Sequence, residues 1–370
     1  MGIIVGLPLG GTSQKDYQAH FGKNTSVQIE MRAPLLPAEW ALQSGIQLTW
    51  PHAGTDWAYM LDEVQECFIN IAREIAIREK LLIVTPEPEE VKRLISEKVN
   101  LENVHFLQCE TNDTWARDHG AITMMNADGP SLLDFKFNGW GLKFAADKDN
   151  LITRHAVEAK MLKGSYVNRL NFVLEGGSIE SDGVGTLLTT SECLLSPNRN
   201  GQMNQVEIEE YLRSVFHVEQ VLWLDHGYLA GDDTDSHIDT LARFCSPDTI
   251  AYVQCTDTDD EHYEALRKME EQLKTFRTLK GEPYQLLALP MADKIEEEGE
   301  RLPATYANFL ILNDVVLYPT YRQPENDVRA GEVLKEAFPQ YEIIGIDCRA
   351  LIKQHGSLHC VTMQYPVGVL

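Results

Sequence analysis

The chain has 370 residues, 44% of them hydrophobic and 24% charged, which suits one large core or two smaller domains. No run approaches the roughly 18 apolar residues of a membrane span. A net charge of −24, from 56 acidic and 32 basic side chains, makes nucleic acid and anionic membranes poor partners and cationic substrates better ones, although acidity also serves solubility alone.

Seven cysteines without a CxxC pair argue against a zinc ribbon or disulfide scaffold and suit a reducing compartment. The N-terminal "MGIIVGLPLGG" is apolar, but no basic residue precedes it and no cleavage site follows, so no signal peptide is expected and the chain reads as cytoplasmic. Residues 1–30 are otherwise polar and aperiodic, and read as a poorly ordered extension ahead of one domain over 31–370.

From there a pattern recurs: an amphipathic helix, a short apolar strand, then a polar turn. The instances are "PEEVKRLISEK" with "VHFLQ", "LITRHAVEAKML" with "LNFVL", "QVEIEEYLRSVF" with "QVLWL", "DDEHYEALRKMEEQLKTF" with "YQLLAL", and "NDVRAGEVLKEAF" with "YEIIGI". Apolar spacing of three and four residues marks the helices, and β-branched or aromatic content marks the strands. Strand ends recur about every 60 residues, as in a repeat architecture closed on itself. A doubly wound sheet is the competing arrangement. Additional short strands in the units ("GAITMM", "GTLLTT", "TIAYVQ", "VVLYP", "CVTMQ") favour a ββαβ module instead.

Three turns and one C-terminal stretch carry chemistry. "ETNDTWARDHG" (110–120) places Trp115 and Asp118 three apart, so an indole face and a carboxylate can address one flat cation; a tryptophan buried beside an Arg117 ion pair is the alternative. In "LEGGSIESDGVGTLLTTSECLLSPNRN" (174–200), Glu175 leaves an apolar strand into two glycines, which alternatively form a simple bulge. "GDDTDSHID" (231–239) reads three ways: a solvated acidic turn, a metal site, or a cation pocket in which His237 and Asp239 share a strand face. Cys360, in "GSLHCVTMQYP" (356–366), is a buried hydrophobe or a nucleophile. Its neighbour His359 is expected to be structural, because adjacent strand residues face opposite ways.

Asp118, Glu175, His237 and Cys360 each follow the strand of a different unit, while the fourth unit supplies "PATYANF". Around a common axis these turns converge. The resulting site holds a cysteine, a histidine, two aspartates for a cation and a glutamate able to orient the histidine. Cysteine with histidine suggests thiol hydrolase chemistry. The added carboxylates suit a guanidinium, which is planar, permanently charged and matched to carboxylates two bonds at a time.

These residues resemble the agmatine deiminases, within the peptidylarginine-deiminase-like guanidino-modifying superfamily. The resemblance runs from about Arg32 to Pro366 through "PAEW", "TWPHAGTDW", "NDTWARDHG", "FKFNGWG", "EGGSIESDGVGTLLTTSECLLSPNRN", "HIDTLARF", "PATYANFLILN" and "GSLHCVTMQYP". It implies a five-bladed pseudosymmetric α/β propeller, the pentein fold, and cofactor-free, metal-free hydrolysis of agmatine to N-carbamoylputrescine and ammonia through an S-alkylthiouronium intermediate. By the same resemblance Cys360 is the nucleophile, His237 the general acid/base, Asp118 and Asp239 the guanidinium grip, and Glu175 the residue that orients His237. Trp115 lines the pocket. Asp233 stands where relatives carry a glutamate near the distal amine, since this chain reads "DDTDSH" for "DETNGH".

The expected partner is a small cationic guanidine, with neither nucleic acid nor membrane, and the sequence is compatible with a homo-oligomer. Two rivals stand beside this reading. One is a deiminase of free or peptidyl arginine, which an arginine in the pocket would favour. The other is a non-catalytic acidic module that binds polyamines or metal, for which Cys360 has no use.

Overall fold

The computed structural model describes residues 34–370, so the reading of residues 1–30 as an extension lies outside the described residues. Within them, five sheets repeat one pattern, and a two-stranded ribbon pairs Glu296–Glu297 with Glu300–Arg301. In each repeat a first strand pairs antiparallel with a second, a helix crosses over, and a third strand returns parallel to the second.

Blade two consists of Ile122–Asn126, Gly129–Lys136 and Ser165–Val173, with helix Ile152–Glu158 as the crossover. Blade three uses Ile179–Ser181, Thr186–Thr190 and Gln220–Leu224 around helix Gln205–Phe216. Blade four uses Ala242–Ser246, Thr249–Gln254 and Gln285–Pro290 around helix Tyr263–Leu273. Blade five uses Leu310–Ile311, Val315–Thr320 and Glu342–Asp347 around helix Pro324–Ala337. These are the ββαβ units expected, and the fold is a five-bladed α/β propeller of the pentein type.

Blade one differs from the expected unit. Its first strand is the C-terminal Thr362–Pro366, paired antiparallel with Gln43–Thr49. Helix Leu61–Ala76 then crosses to Lys80–Thr85, and a second helix, Pro88–Ile95, adds a fourth strand, Val104–Gln108. The helix–strand pair that the sequence singles out, 88–108, is therefore the extra one. The pair at 61–85 holds the position equivalent to the crossovers of the other blades.

Local rules account for these elements. Leu61–Ala76 buries Val64, Cys67, Phe68, Ile71, Ala72 and Ile75, a stripe at three- and four-residue spacing, and Phe68 meets Trp50 edge-on with ring centroids 5.5 Å apart. Thr249–Gln254 and Val315–Thr320 are buried along nearly their whole length, and their β-branched, apolar residues suit strands covered on both faces. No helix among the described residues is long and apolar enough to cross a membrane.

Helix Gln205–Phe216 begins with a reciprocal cap. The Asn204 side chain accepts from the Glu207 N–H at 3.1 Å, and Glu207 accepts from the Asn204 N–H at 2.8 Å. The helix ends at His217, which adopts a left-handed φ of 54°. Its cap lies on the periphery of blade three, so Asn204→Ala is expected to lower stability by about 1 kcal/mol in a denaturant titration and leave turnover unchanged.

Candidate active site

The candidate residues all lie on the connections that lead from the last strand of one blade to the first strand of the next. Asp118 precedes Ile122–Asn126, Glu175 precedes Ile179–Ser181, His237 and Asp239 precede Ala242–Ser246, and Cys360 precedes Thr362–Pro366. In the remaining connection, ahead of Leu310–Ile311, the corresponding residue is Asn308. Hydrogen bonds tie these connections together at the hub.

Asn308 is the first of those ties. Its Oδ1 accepts the backbone N–H groups of His359 and Cys360 at 2.9 and 3.3 Å and lies 3.3 Å from Cys360 Sγ, while its Nδ2 donates to the Asp239 carbonyl at 3.3 Å. Asp118 is the second. Its Oδ2 accepts the Trp140 indole N–H at 3.0 Å, its Oδ1 accepts the Gly177 N–H at 3.0 Å, and His237 Nδ1 lies 3.6 Å from that same Oδ1. Gly177 shows how tightly the groups converge. A Cβ there would stand 2.7 Å from His237 Nδ1, 2.9 Å from Asp118 Oδ1 and 3.1 Å from Asp239 Oδ2. The glycine is required by this close approach; it is not a bulge in a strand.

His237 and Asp239 do come together, but not along a strand face. Ile238–Thr240 is a single 3-10 turn, closed by the Thr240 and Leu241 N–H groups on the His237 and Ile238 carbonyls. The acidic loop ahead of it is bonded internally. Asp232 accepts from the Thr234 and Ser236 N–H groups at 3.1 and 2.8 Å, and Asp235 pairs with Lys143 and Arg199. Cys360 and His359 also sit on a turn ahead of the last strand, not within it. His359 is buried and bonded, as a structural residue would be, but its ring reaches Asp239 Oδ2 at 2.7 Å and so belongs to the site.

Glu175 forms no hydrogen bond with His237. Both its oxygens accept from Arg199 Nε, at 2.8 and 3.1 Å, and Arg199 in turn bonds Asp235 Oδ2 at 2.6 Å and the Thr234 carbonyl at 2.8 Å. Glu175 thus fixes the loop that carries His237 through an intervening guanidinium. Ligand-type atoms of Glu175, Cys193 and His237 cluster within 4.8 Å of one another, as do those of Glu39, Glu180 and His359. In each cluster an arginine, Arg199 or Arg243, already pairs with the carboxylates.

A cleft of about 430 Å³ opens onto Cys360 and Asp118. Trp115, Trp140 and Phe144 form its aromatic wall, and Asp56, Asp113, Asp233 and His355 line its mouth. Gly356 lies directly against the Trp115 ring, where a Cβ would come within 2.1 Å. Asp233 is thus at the cleft, with its carboxylate 4.0 Å from His355 Nε2.

The electrostatics set Asp118 and Asp239 apart. Burial and the Asp239 charge push Asp118 well above the usual carboxylate range. Burial acts on Asp239 in the same sense, but the hydrogen bond and charge of His359 hold it below that range. Burial draws His237 down to about 3. Burial together with Asp239 and Asp118 raises the Cys360 thiol far above its ordinary value. At neutral pH the cysteine and histidine therefore rest uncharged. His237 Nε2 and Asp239 Oδ1 are buried without a hydrogen-bond partner among the described residues, which leaves both atoms free to bond a ligand or water.

Sequence reasoning passed over Asn308, Trp140, Arg199, Arg243 and Glu39. Two had a visible signal. Arg243 interrupts the apolar run "LARFC", and Asn308 sits in the one unit that lacked a counterpart to the other turns.

Residues 35–366 match the family described as Porphyromonas-type peptidyl-arginine deiminase. A protein of Marinomonas sp. (strain MWYL1), provisionally named an agmatine deiminase, is 33% identical over 352 residues, covering 90% of this chain and 94% of its own. A solved structure from Porphyromonas gingivalis, provisionally named an arginine deiminase, is 51% identical with a TM-score of 0.86, over 91% of this chain and 100% of its own. An agmatine deiminase of C. Jejuni, solved as a Cys-to-Ser variant with substrate bound, is 37% identical with a TM-score of 0.85, over 94% of this chain and 100% of its own.

The contacts around Gly177 give a direct check. Gly177→Ala should displace His237 or Asp118 and lower kcat/KM about 100-fold, the scale of a misplacement of roughly 1 Å. Activity within twofold of wild type would show that the three side chains are not held against one point.

Proposed function

The chain belongs to the Porphyromonas-type peptidyl-arginine deiminase family, hydrolases of guanidino C–N bonds, and we propose that its substrate is agmatine, converted to N-carbamoylputrescine and ammonia. The observation that carries this reading is the charge of the cleft. Its mouth has Asp56, Asp113 and Asp233, and among the described residues neither a lysine nor an arginine lines it. Agmatine is cationic at both ends, so its ammonium is attracted where its guanidinium has entered first. Free arginine would bring an α-carboxylate to the same carboxylates. Asp113 is raised to about 6 by burial and by Asp56, which leaves it anionic at neutral pH and further favoured by a bound ammonium.

In the proposed reaction the guanidinium lies between Asp118 and Asp239, against the Trp115 and Trp140 rings. Its positive charge offsets the two carboxylates that oppose ionisation of Cys360. Sγ then attacks the guanidinium carbon as its proton passes to His237. The tetrahedral adduct collapses by breaking a C–N bond, and His237 returns the proton to the departing nitrogen, which leaves as ammonia. A water molecule attacks the S-alkylthiouronium carbon while His237 accepts its proton. The C–S bond breaks with its electron pair on sulfur, His237 returns its proton to that sulfur, the adduct hydroxyl releases its proton to solvent as the C=O forms, and the ureido product leaves. Glu175 supports these steps by fixing the His237 loop through Arg199, and Asp233 offers a carboxylate to the distal ammonium. Every proton carrier and the nucleophile come from the chain.

Arginine is the second reading, favoured by the name of the Porphyromonas gingivalis relative at 51% identity. A ureido-product assay over agmatine, free arginine and an arginyl peptide separates them. Agmatine should exceed both others in kcat/KM by about 100-fold or more, because a carboxylate or peptide group at the acidic mouth leaves charged groups unpaired. A preference for free arginine would overturn the agmatine assignment.

A further inference from the structure

Behind the Cys360 turn lies a buried ionic chain that the reaction steps above do not use. His359 is 1% exposed and bonds carboxylates at both ends of its ring, Nδ1 to Asp239 Oδ2 at 2.7 Å and Nε2 to Glu39 Oε2 at 2.7 Å. Arg243, fully buried, places Nη2 2.7 Å from Glu39 Oε2 and 3.1 Å from His359 Nε2, and its Nε pairs with Glu180. The outer carboxylates are themselves anchored to backbone. Glu39 Oε1 accepts the Ile311 N–H at 2.7 Å, and Glu180 Oε2 accepts the Phe244 N–H at 3.2 Å. The chain therefore joins the segment ahead of blade one to blades three, four and five.

The asymmetry at Asp239 is what gives this network a consequence. Buried polar atoms are mostly hydrogen-bonded, so an unbonded carboxylate oxygen facing the hub stands out. Here Oδ2 is locked to His359, while Oδ1 is buried and bonded to nothing among the described residues. A single hydrogen bond to a free ring would let the carboxylate swing. A ring pinned at its far nitrogen by Glu39 cannot follow. The same turn supplies the nucleophile, since the His359 and Cys360 N–H groups share Asn308 Oδ1.

We infer that His359, braced by Glu39 and Arg243, is a positioning residue for the deiminase reaction: it locks one oxygen of Asp239 so that the other is presented to the guanidinium. The hydrogen bond from His359 Nδ1 also favours the ionised form of Asp239 against the effect of burial. This inference rests on the reading of Asp239 as a guanidinium-binding carboxylate, and the test separates the two.

Steady-state kinetics would be measured for wild type and for His359→Leu, His359→Asn, Glu39→Gln and Asp239→Asn, with the guanidino compound that the wild type turns over best. His359→Leu should lower kcat/KM about 100-fold, with KM carrying at least tenfold of it, because the grip and not the nucleophile is disturbed. His359→Asn, whose amide keeps a donor near the Nδ1 position, should recover at least tenfold. Glu39→Gln, a change of one atom in the brace, should raise KM without a matching fall in kcat, and it keeps the test decisive if the Leu variant does not fold. Asp239→Asn should raise KM at least as much as His359→Leu. If Asp239→Asn raises KM but the His359 and Glu39 variants stay within twofold of wild type, the positioning role is overturned and the Asp239 reading stands. If Asp239→Asn leaves KM unchanged, both fall together.

Discussion

The site depends first on how the ring closes. Thr362–Pro366, at the end of the chain, pairs with Gln43–Thr49 near the start of the described residues, and that pairing is what carries Cys360 to the hub. Side chains reinforce the seam across 290 to 322 positions. Tyr365 donates its hydroxyl to Gln47 Oε1 at 2.8 Å, Ser44 Oγ donates to the Pro366 carbonyl at 2.8 Å, and Lys80 Nζ reaches the Leu370 carbonyl at 2.9 Å. Four blades build their inner hairpins from neighbouring sequence. In blade one the corresponding antiparallel pair joins segments about three hundred positions apart, so the turn that carries Cys360 is set by a long-range contact.

A second constraint follows from what the hub encloses. Asp118, Glu175, Glu180, Asp239 and Glu39 are all buried there, and so are Arg117, Arg199 and Arg243. Removing one partner of a buried ion pair costs roughly 3–5 kcal/mol, so Arg199 and Arg243 are bound to their places by the acids paired with them, whereas Arg117 reaches the His359 carbonyl at 3.5 Å. The exception is informative. Asp118 accepts hydrogen bonds from an indole and a backbone N–H but has no cationic side chain of its own, and burial together with the Asp239 charge raises its carboxyl. Burial raises the Cys360 thiol as well, with Asp239 and Asp118 adding to it. In the proposed reaction a guanidinium between Asp118 and Asp239 adds a positive charge there and eases ionisation of the thiol.

Much of this architecture was legible in the sequence, for a definite reason. Helix and strand periodicity is local, so units recurring about every 60 residues could be seen without knowing which strands pair. Blade one was harder to read, because two helix–strand pairs lie in one unit and its first strand comes from the other terminus. The candidate residues Asp118, Glu175, His237, Asp239 and Cys360 could be placed on inter-unit turns, but their partners could not. Glu39 and His359 are 320 positions apart, and Glu175 and Arg199 meet only because a strand pair folds back between them. The strand-face argument failed at both His237–Asp239 and His359–Cys360, since each pair sits on a turn where alternation does not apply.

The central claim is that Cys360, alone among the seven cysteines, forms a covalent bond to the guanidinium carbon during turnover. All seven are unpaired and buried, so the sulfur that reacts is chosen by position and not by redox state. Acid-quenching the enzyme in mid-turnover with agmatine, followed by peptide mapping by mass spectrometry, reads this directly. The account predicts an agmatine-derived amidino adduct confined to the peptide carrying Cys360. Ureido product accumulating with no adduct on that peptide, or with the adduct on Cys193 beside His237, would contradict it.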